Sequence, residues 1–325
     1  MSTRAIALDL GGTQFRVAVG TGEGVIEWRT SRATRAERGR GAVLRDIYNT
    51  VDEALAAVSH RETVKGIAIA APGPLDPWTG VLHTPPNLPG WDMVPIRQLF
   101  EDRYALRVTV GNDANLAAVG EHTYGAGRGI ADLIYVTVST GIGGGIIALN
   151  QLQLGHRGFA GEIGHMTIDM HGPVCACGNV GCLESLASGT AIARMAREQV
   201  AAGAETVLSR VDPAQLTARV VTEAASHGDK VSSRILRDAG VALGVGMVNL
   251  AHILNPQRII IGGGVSNAGP CLWEPMLEVL EERALSPSRK DLDIVPASLA
   301  DDAGLLGGVA LITLEESRRL GPGQD

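Results

Sequence analysis

Apolar and polar positions follow two rhythms along this chain. Short apolar runs closed by glycine, proline or asparagine predict buried strands at Ala5–Leu10, Lys65–Ala71, Leu106–Val110, Leu133–Val138 and Arg258–Ile261. Longer stretches with apolar residues at helical spacing predict helices. Leu44, Ile47, Val51, Leu55 and Val58 mark one over about 44–58. Leu236, Leu243, Met247, Leu250 and Leu254 share one face of the longest, over 231–254, which Asn255-Pro256 ends. Two more are expected over about 114–122 and 303–318. Alternation resumes after two glycine clusters. Phe15–Val19 follows the turn Gly11-Gly12-Thr13, and Ile146–Leu149 follows the cluster Ser139 to Gly145. The chain therefore repeats one strand–glycine–strand device about 130 residues apart, which predicts two α/β halves facing each other across a cleft. No short-period repeat or low-complexity linker is present.

Composition narrows this picture. Hydrophobic residues make up 45% of the 325 positions but aromatics only 3%, so Ala, Val, Ile and Leu must build the core. The 42 glycines cluster beside apolar runs, as tight ligand-binding turns do. The net charge of −7 argues against a nucleic-acid partner, because phosphate-backbone binding needs a basic face. The one basic stretch, Arg29, Arg32, Arg35, Arg38 and Arg40, reads as a solvated connection. No apolar segment has the length of a membrane span, and the N-terminus lacks a signal-peptide layout. Three of the four cysteines fall within eight residues and Cys271 stands apart. That spacing suits a cytoplasmic metal site better than a disulfide framework.

The glycine turns can carry phosphate chemistry, since a turn without Cβ atoms lets backbone N–H groups approach phosphate oxygens. Asp9, at the end of an apolar strand, suits Mg²⁺ held through water. Thr13 and Thr140 can donate hydroxyls to phosphate, and the third turn, with Gly263 and Gly264, can border an adenosine. A plain hairpin role stays open for each. Neither main turn matches the Walker pattern and neither opens a helix, which sets aside P-loop ATPases and dinucleotide-binding dehydrogenases. Asp113 follows a strand end, where α/β proteins place ligand sites, and can act as a general base on an alcohol. Asn112 beside it can donate and accept hydrogen bonds. From the dipeptide alone, a helix N-cap is the commoner role for either residue.

The segment 161–184 carries the most specific signal. Cys175, Cys177 and Cys182 with one histidine make a tetrahedral Cys₃His zinc set, and Gly178 and Gly181 permit the turn that joins the thiols. Spacing alone leaves His165 and His171 both open as the fourth ligand. Four protein ligands leave no open position, so such a metal is structural.

In order along the chain, Asp9-Leu-Gly-Gly-Thr13, Gly111-Asn112-Asp113, Ser139-Thr140-Gly141-Ile142-Gly143-Gly144-Gly145, Gly161-Glu162-Ile163-Gly164-His165 and the Cys175–Glu184 motif closely resemble the ROK family (repressor, open reading frame, kinase), above all its bacterial glucokinases. The resemblance spans nearly the whole chain. It implies an actin/hexokinase-like ATPase fold of two α/β domains, here 1–119 plus about 303–325 and 120–302, with a structural zinc loop on the second. It implies Asp113 as catalytic base, and Asn112, Glu162, His165 and Glu184 with it around the sugar hydroxyls. It assigns His165, Cys175, Cys177 and Cys182 to zinc, choosing His165 over His171. It assigns Asp9, Gly11, Gly12, Thr13, Thr140, Gly141 and Gly143 to ATP and Mg²⁺.

The expected reaction is ATP-dependent phosphorylation of glucose, with N-acetylmannosamine, fructose or allose as alternatives, in a homodimer or homotetramer. The family also holds transcriptional repressors with an added helix-turn-helix domain. Only eight residues precede Asp9 here, and the phosphate turns and the base are intact, so a kinase is expected. The segment His83–Trp91 either lines the sugar pocket or is an ordinary proline-rich loop.

Overall fold

In the computed structural model, which describes residues 2–320 and the side chains of 2–314, the chain opens with three antiparallel strands. They are β1 (Arg4–Leu10), β2 (Gln14–Thr21) and β3 (Ile26–Ala33). Helix α1 (Arg40–Ala57) leads to β4 (Val64–Ala71). A small sheet of β5 (Leu75–Asp76), β6 (Val81–Leu82) and β7 (Val94–Pro95) and helix α2 (Ile96–Tyr104) precede β8 (Arg107–Asn112). Helix α3 (Asp113–Tyr124) then carries the chain to β9 (Leu133–Val138), β10 (Ile142–Ala148) and β11 (Gln151–Leu152). Four helices follow: α4 (Leu183–Ala187), α5 (Gly189–Ala201), α6 (Ala218–Ser226) and α7 (Lys230–Leu254). The remaining elements are β12 (Arg258–Gly262), α8 (Pro270–Arg283), α9 (Ser286–Arg289), β13 (Asp293–Pro296) and α10 (Ala303–Leu320).

The two large sheets share one topology. The first runs β3-β2-β1-β4-β8 and the second β11-β10-β9-β12-β13. In each, an antiparallel three-strand meander is extended by two parallel strands. The repeated device of the sequence is thus the start of two copies of one sheet.

Side-chain size along the strands decides what covers each face. On β1, Ile6, Leu8 and Leu10 point to a core completed by Val43, Ile47 and Val51 of α1. Ala5 and Ala7 point the other way, with Ala18 and Ala68, against Leu305, Val309 and Ile312 of α10. The second sheet repeats this: Ile134, Val136 and Val138 face a core that includes α7 and α8, while Leu133 and Tyr135 face Ala117 and Ala118 of α3. Helix α10 lies on β1 and β4, α3 lies on β9 and β10, and the two helices pack on each other. The centre is therefore sheet, α10, α3, sheet. Close approach needs small residues: a Cβ on Gly308 would stand 2.9 Å from that of Ala68. Enlarging these alanines would wedge α10 off the sheet at about 1–3 kcal/mol each. Among the described residues, no helix is long and apolar enough to cross a membrane.

Several sequence expectations need correction. The cluster from Ser139 to Gly145 is not one turn: β10 starts at Ile142, so Gly143, Gly144 and Gly145 are strand residues. Strand β8 runs on through Gly111 and Asn112. Leu254 is 40% exposed and leaves the buried face of α7. Strand β3, an outer strand of mostly polar residues, and the one-sided helices α5 and α6, which bury Ile192 with Ala196 and Val221 with Ala225, were not among the expected elements. Of the segment 303–325 expected to join the first half, residues 321–325 lie outside the described residues.

Candidate active site

The first glycine turn, residues 11–13, joins β1 to β2. Gly11 N–H donates to the Gln14 carbonyl at 3.0 Å. The turn is fastened from outside by buried Thr34, whose hydroxyl donates to the Gly11 carbonyl at 2.6 Å and whose N–H donates to the Thr13 carbonyl at 2.9 Å. Gly12 has no room for a side chain, since its Cβ would stand 2.6 Å from the Asn87 carbonyl. Asp9 lies opposite Arg16 in the β1–β2 register, and the guanidinium holds its Oδ2 in an ion pair.

The second turn, residues 139–141, has a matching clamp. Thr190, at the start of α5, donates its hydroxyl to the Thr140 carbonyl at 2.8 Å and its N–H to the same oxygen at 3.2 Å. Gly189 N–H donates to the Ser139 carbonyl at 2.7 Å. Glu184, in the first turn of α4, accepts the Ile142 N–H at 2.8 Å, and its carboxylate fills the space a Cβ on Gly141 would need. Gly143, Gly144 and Gly145 serve packing. Cβ atoms there would run into Ala114, Ile163 and Ala118 respectively. Gly263 follows β12 beside Val138, next to this turn, and Gly264 opens a short 3-10 turn with no atom near its Cβ position.

Asp113 starts α3. Asn112 is the N-cap, and its Oδ1 accepts from the N–H groups of Ala114 (2.9 Å) and Asn115 (3.4 Å). The expected capping role thus falls to Asn112. Asp113 Oδ1 accepts only the Ala114 N–H, at 2.8 Å. One side of its carboxyl opens to solvent while protein crowds the others. That crowding, first, and the charges of Asp9 and Glu162, against the pull of the Ala114 amide, push it up to about 6. A carboxyl poised there is mostly ionised at neutral pH yet basic enough to take a proton.

His165, Cys175, Cys177 and Cys182 place one ligand atom each within 4.8 Å of one another. The Sγ atoms of Cys177 and Cys182 are 3.8 Å apart, matching the edge of about 3.8 Å that a tetrahedron with 2.3 Å Zn–S bonds requires. His165 Nδ1 is 3.9 Å from Cys175 Sγ, against about 3.6 Å in such a tetrahedron. Desolvation, with the other two thiols, pushes the Cys182 thiol up to about 12, so a cation is what would let the three ionise together. The backbone is shaped for the cluster. Gly178 and Gly181 have φ of 90° and 65°, and any Cβ on Gly181 would collide with the Asp169 carbonyl. His171 is outside the cluster; its N–H donates to Asp169 Oδ1. His165 turns Nε2 toward Glu162 Oε2, 3.9 Å away, so one ring links the cluster to a cleft carboxylate. Cys271 lies apart, near the α7–α8 core.

Sequence reasoning missed Arg16, Thr34 and Thr190. Arg16 was legible as the cross-strand partner of Asp9. The two threonines come from segments whose nearness to the turns only the fold reveals. Within 83–91, Trp91 and Leu88 are core residues, and Asn87 touches the first turn.

The ROK family model matches residues 5–315. A glucokinase of Thermotoga maritima is 35% identical over 95% of this chain and 97% of its own length. A xylose repressor of Caldicellulosiruptor bescii is 31% identical over 94% of this chain and 77% of its own. Among solved structures, a ROK family glucokinase from Streptomyces griseus, in complex with glucose and AMPPNP, superposes with a TM-score of 0.81 at 32% identity, covering 95% of this chain and 98% of that one.

Proposed function

The chain belongs to the ROK family, and we propose from the site that it transfers the γ-phosphoryl group of ATP to a hydroxyl of a hexose, glucose before others. The observation that carries this reading is Asp113, a carboxyl raised to about 6, close to Asp9 of the first turn and Glu162 of the metal loop. A hexose hydroxyl at Asp113 gives up its proton to the carboxylate as its oxygen attacks the γ-phosphorus, and ADP leaves. Glu162, His165 and Glu184 hold the remaining hydroxyls, with the amide of Asn112, whose Oδ1 is committed to the helix cap. Gly12, Thr13, Thr140 and Gly141 face the ATP phosphates with backbone N–H groups and hydroxyls, and Gly11, whose N–H is spent on the Gln14 carbonyl, shapes the first turn for them. Gly263 and Gly264 border the nucleoside. Gly143 acts by making room for α3.

Mg²⁺ supplies charge neutralisation on the phosphates. Asp9, whose Oδ2 pairs with Arg16, would hold the ion through water. His165, Cys175, Cys177 and Cys182 would hold a zinc ion that supplies rigidity alone, and so would fix where His165, Glu162 and Glu184 point. The two domains divide near 119 and 303, where α3 and α10 cross. A cytoplasmic setting suits thiols that must stay reduced, and a homodimer or homotetramer is the assembly we expect.

A coupled ADP-release assay over glucose, mannose, fructose, allose, N-acetylglucosamine and N-acetylmannosamine tests the proposal. Glucose should give the highest kcat/KM. Tight sugar binding without ADP release from any of them would reject the kinase in favour of a sugar sensor.

A further inference from the structure

The arginine-rich segment after β3 is not spread through solvent. Past Ala33 the chain bends into a 3-10 turn, Ala36–Arg38, with Arg35 in the left-handed backbone region (φ 50°), and then enters α1. The bend gathers Arg32, Arg35 and Arg38 around a cavity of about 380 Å³ that Ala33 and Asp46 complete. Arg38 pairs with Asp46 and Arg32 with Glu53, each at 2.6 Å. Arg35 has no acidic partner among the described residues. Helix α1 begins beside them with Arg40 and no acidic residue in its first turn, so its positive end adds to the same field. Arg32 and Arg38 are each paired to a carboxylate, so Arg35 is the guanidinium left with its charge uncompensated, and an anion at the cavity would complete its pairing between the two fixed neighbours.

Two lining residues, Ala33 and Arg35, flank the residue that fastens the first glycine turn. Thr34 lies between Ala33 and Arg35, is fully buried, and spends both its N–H and its hydroxyl on the Thr13 and Gly11 carbonyls. A ligand that pulls Arg35 inward moves the residue next to that clamp. We propose that the Arg32–Arg35–Arg38 cavity binds a phosphate-bearing anion distinct from the ATP in the cleft, and that its occupancy alters ATP affinity through Thr34. The binding part stands alone; the coupling part rests on the kinase reading above.

The test titrates the full chain with AMPPNP, Mg²⁺ and glucose all saturating, so that the cleft is filled. Calorimetry then uses inorganic phosphate, tripolyphosphate and glucose 6-phosphate separately, which distinguishes a free phosphate, a phosphate chain and a phosphorylated sugar as the source. At least one probe should bind with one equivalent per chain. Its affinity should fall about tenfold in Arg35→Gln, which removes one charge–phosphate contact, and binding should vanish in the Arg32→Ala/Arg35→Ala/Arg38→Ala variant. If the triple variant does not fold, Arg35→Gln alone decides. No binding by any probe, or equal binding to wild type and variant, overturns the site. In turnover assays the bound probe should shift KM for ATP at least threefold more in the wild type than in Arg35→Gln. Binding with no such difference overturns the coupling, and binding in a protein without turnover would indict the kinase reading instead.

Discussion

The two glycine turns look interchangeable as sequence and are built differently. Each follows the first strand of a sheet with the same topology, and each has its carbonyls clamped by one threonine, Thr34 or Thr190. At the first, the glycines are the turn, and the flanking Asp9 is neutralised by a cross-strand arginine. At the second, three of the four glycines are strand residues that let α3 and Ile163 approach, and the turn is braced by Glu184 from the helix that Cys182 caps. A glycine-rich pattern therefore reports backbone crowding, and only the neighbours say whether a ligand or a helix causes it.

The variants that best sharpen this contrast differ widely in expected size. The largest effect should come from Asp113, the carboxylate that feels both Asp9 beside the first turn and Glu162 of the metal loop. Asp113→Asn should lower kcat by about 10²–10⁴-fold, the usual worth of a general base, with KM for ATP little changed. In the wild type, kcat/KM should fall as pH drops below about 6, and the variant should lose that limb. The stability sign also follows. A carboxyl raised from 3.8 to about 6 in the folded state favours folding at low pH and loses that contribution as pH rises through 6. Thermal melts of wild type and Asp113→Asn should accordingly diverge between pH 4 and 7, the variant gaining at pH 7.

Next is the metal. Chelation should raise KM for the sugar by about 10–100-fold, the scale on which supporting ligands act, and KM for ATP less. Some ATP effect is required, because Glu184 bonds the second turn directly. A metal-free protein with unchanged sugar affinity would separate the cluster from the site altogether.

The glycine pair tests the contrast itself. Gly144→Ala should cost about 1–3 kcal/mol of stability through overpacking against Ile163, read as a lower Tm. Gly12→Ala should instead raise KM for ATP, by about tenfold, as the turn and Asn87 move apart. Equal Tm losses from both would make the first turn structural as well. The smallest effect is Glu184→Gln, which keeps an acceptor for the Ile142 N–H but loses the charge. About 1 kcal/mol, or fivefold in KM, is expected on the sugar side.

Much of this was legible in one dimension. Strand Leu133–Val138 came out with its observed bounds, and β1, β4, α1 and α7 within a few residues, because a buried strand or a one-sided helix must repeat its apolar positions. The Cys₃ spacing pointed to a metal cluster because a compact loop can close on four ligands only with residues such as Gly178 and Gly181 between them. Strand β3 escaped, since past Ile26 and Trp28 its residues up to Arg32 are polar on both rows, and the choice between His165 and His171 was beyond spacing.

What the sequence determined by itself was local: the repeated strand–glycine device, the bulky and small faces of β1, the thiol cluster, and a carboxylate at a strand end. Each depends on residues a few positions apart. The tertiary structure alone decided which distant groups meet. It set Thr34 on one turn and Thr190 on the other, Glu184 on the Ile142 amide, and three arginines around one cavity. Those meetings follow from how two sheets stack about α3 and α10, a matter of packed volume that no run of neighbouring residues records.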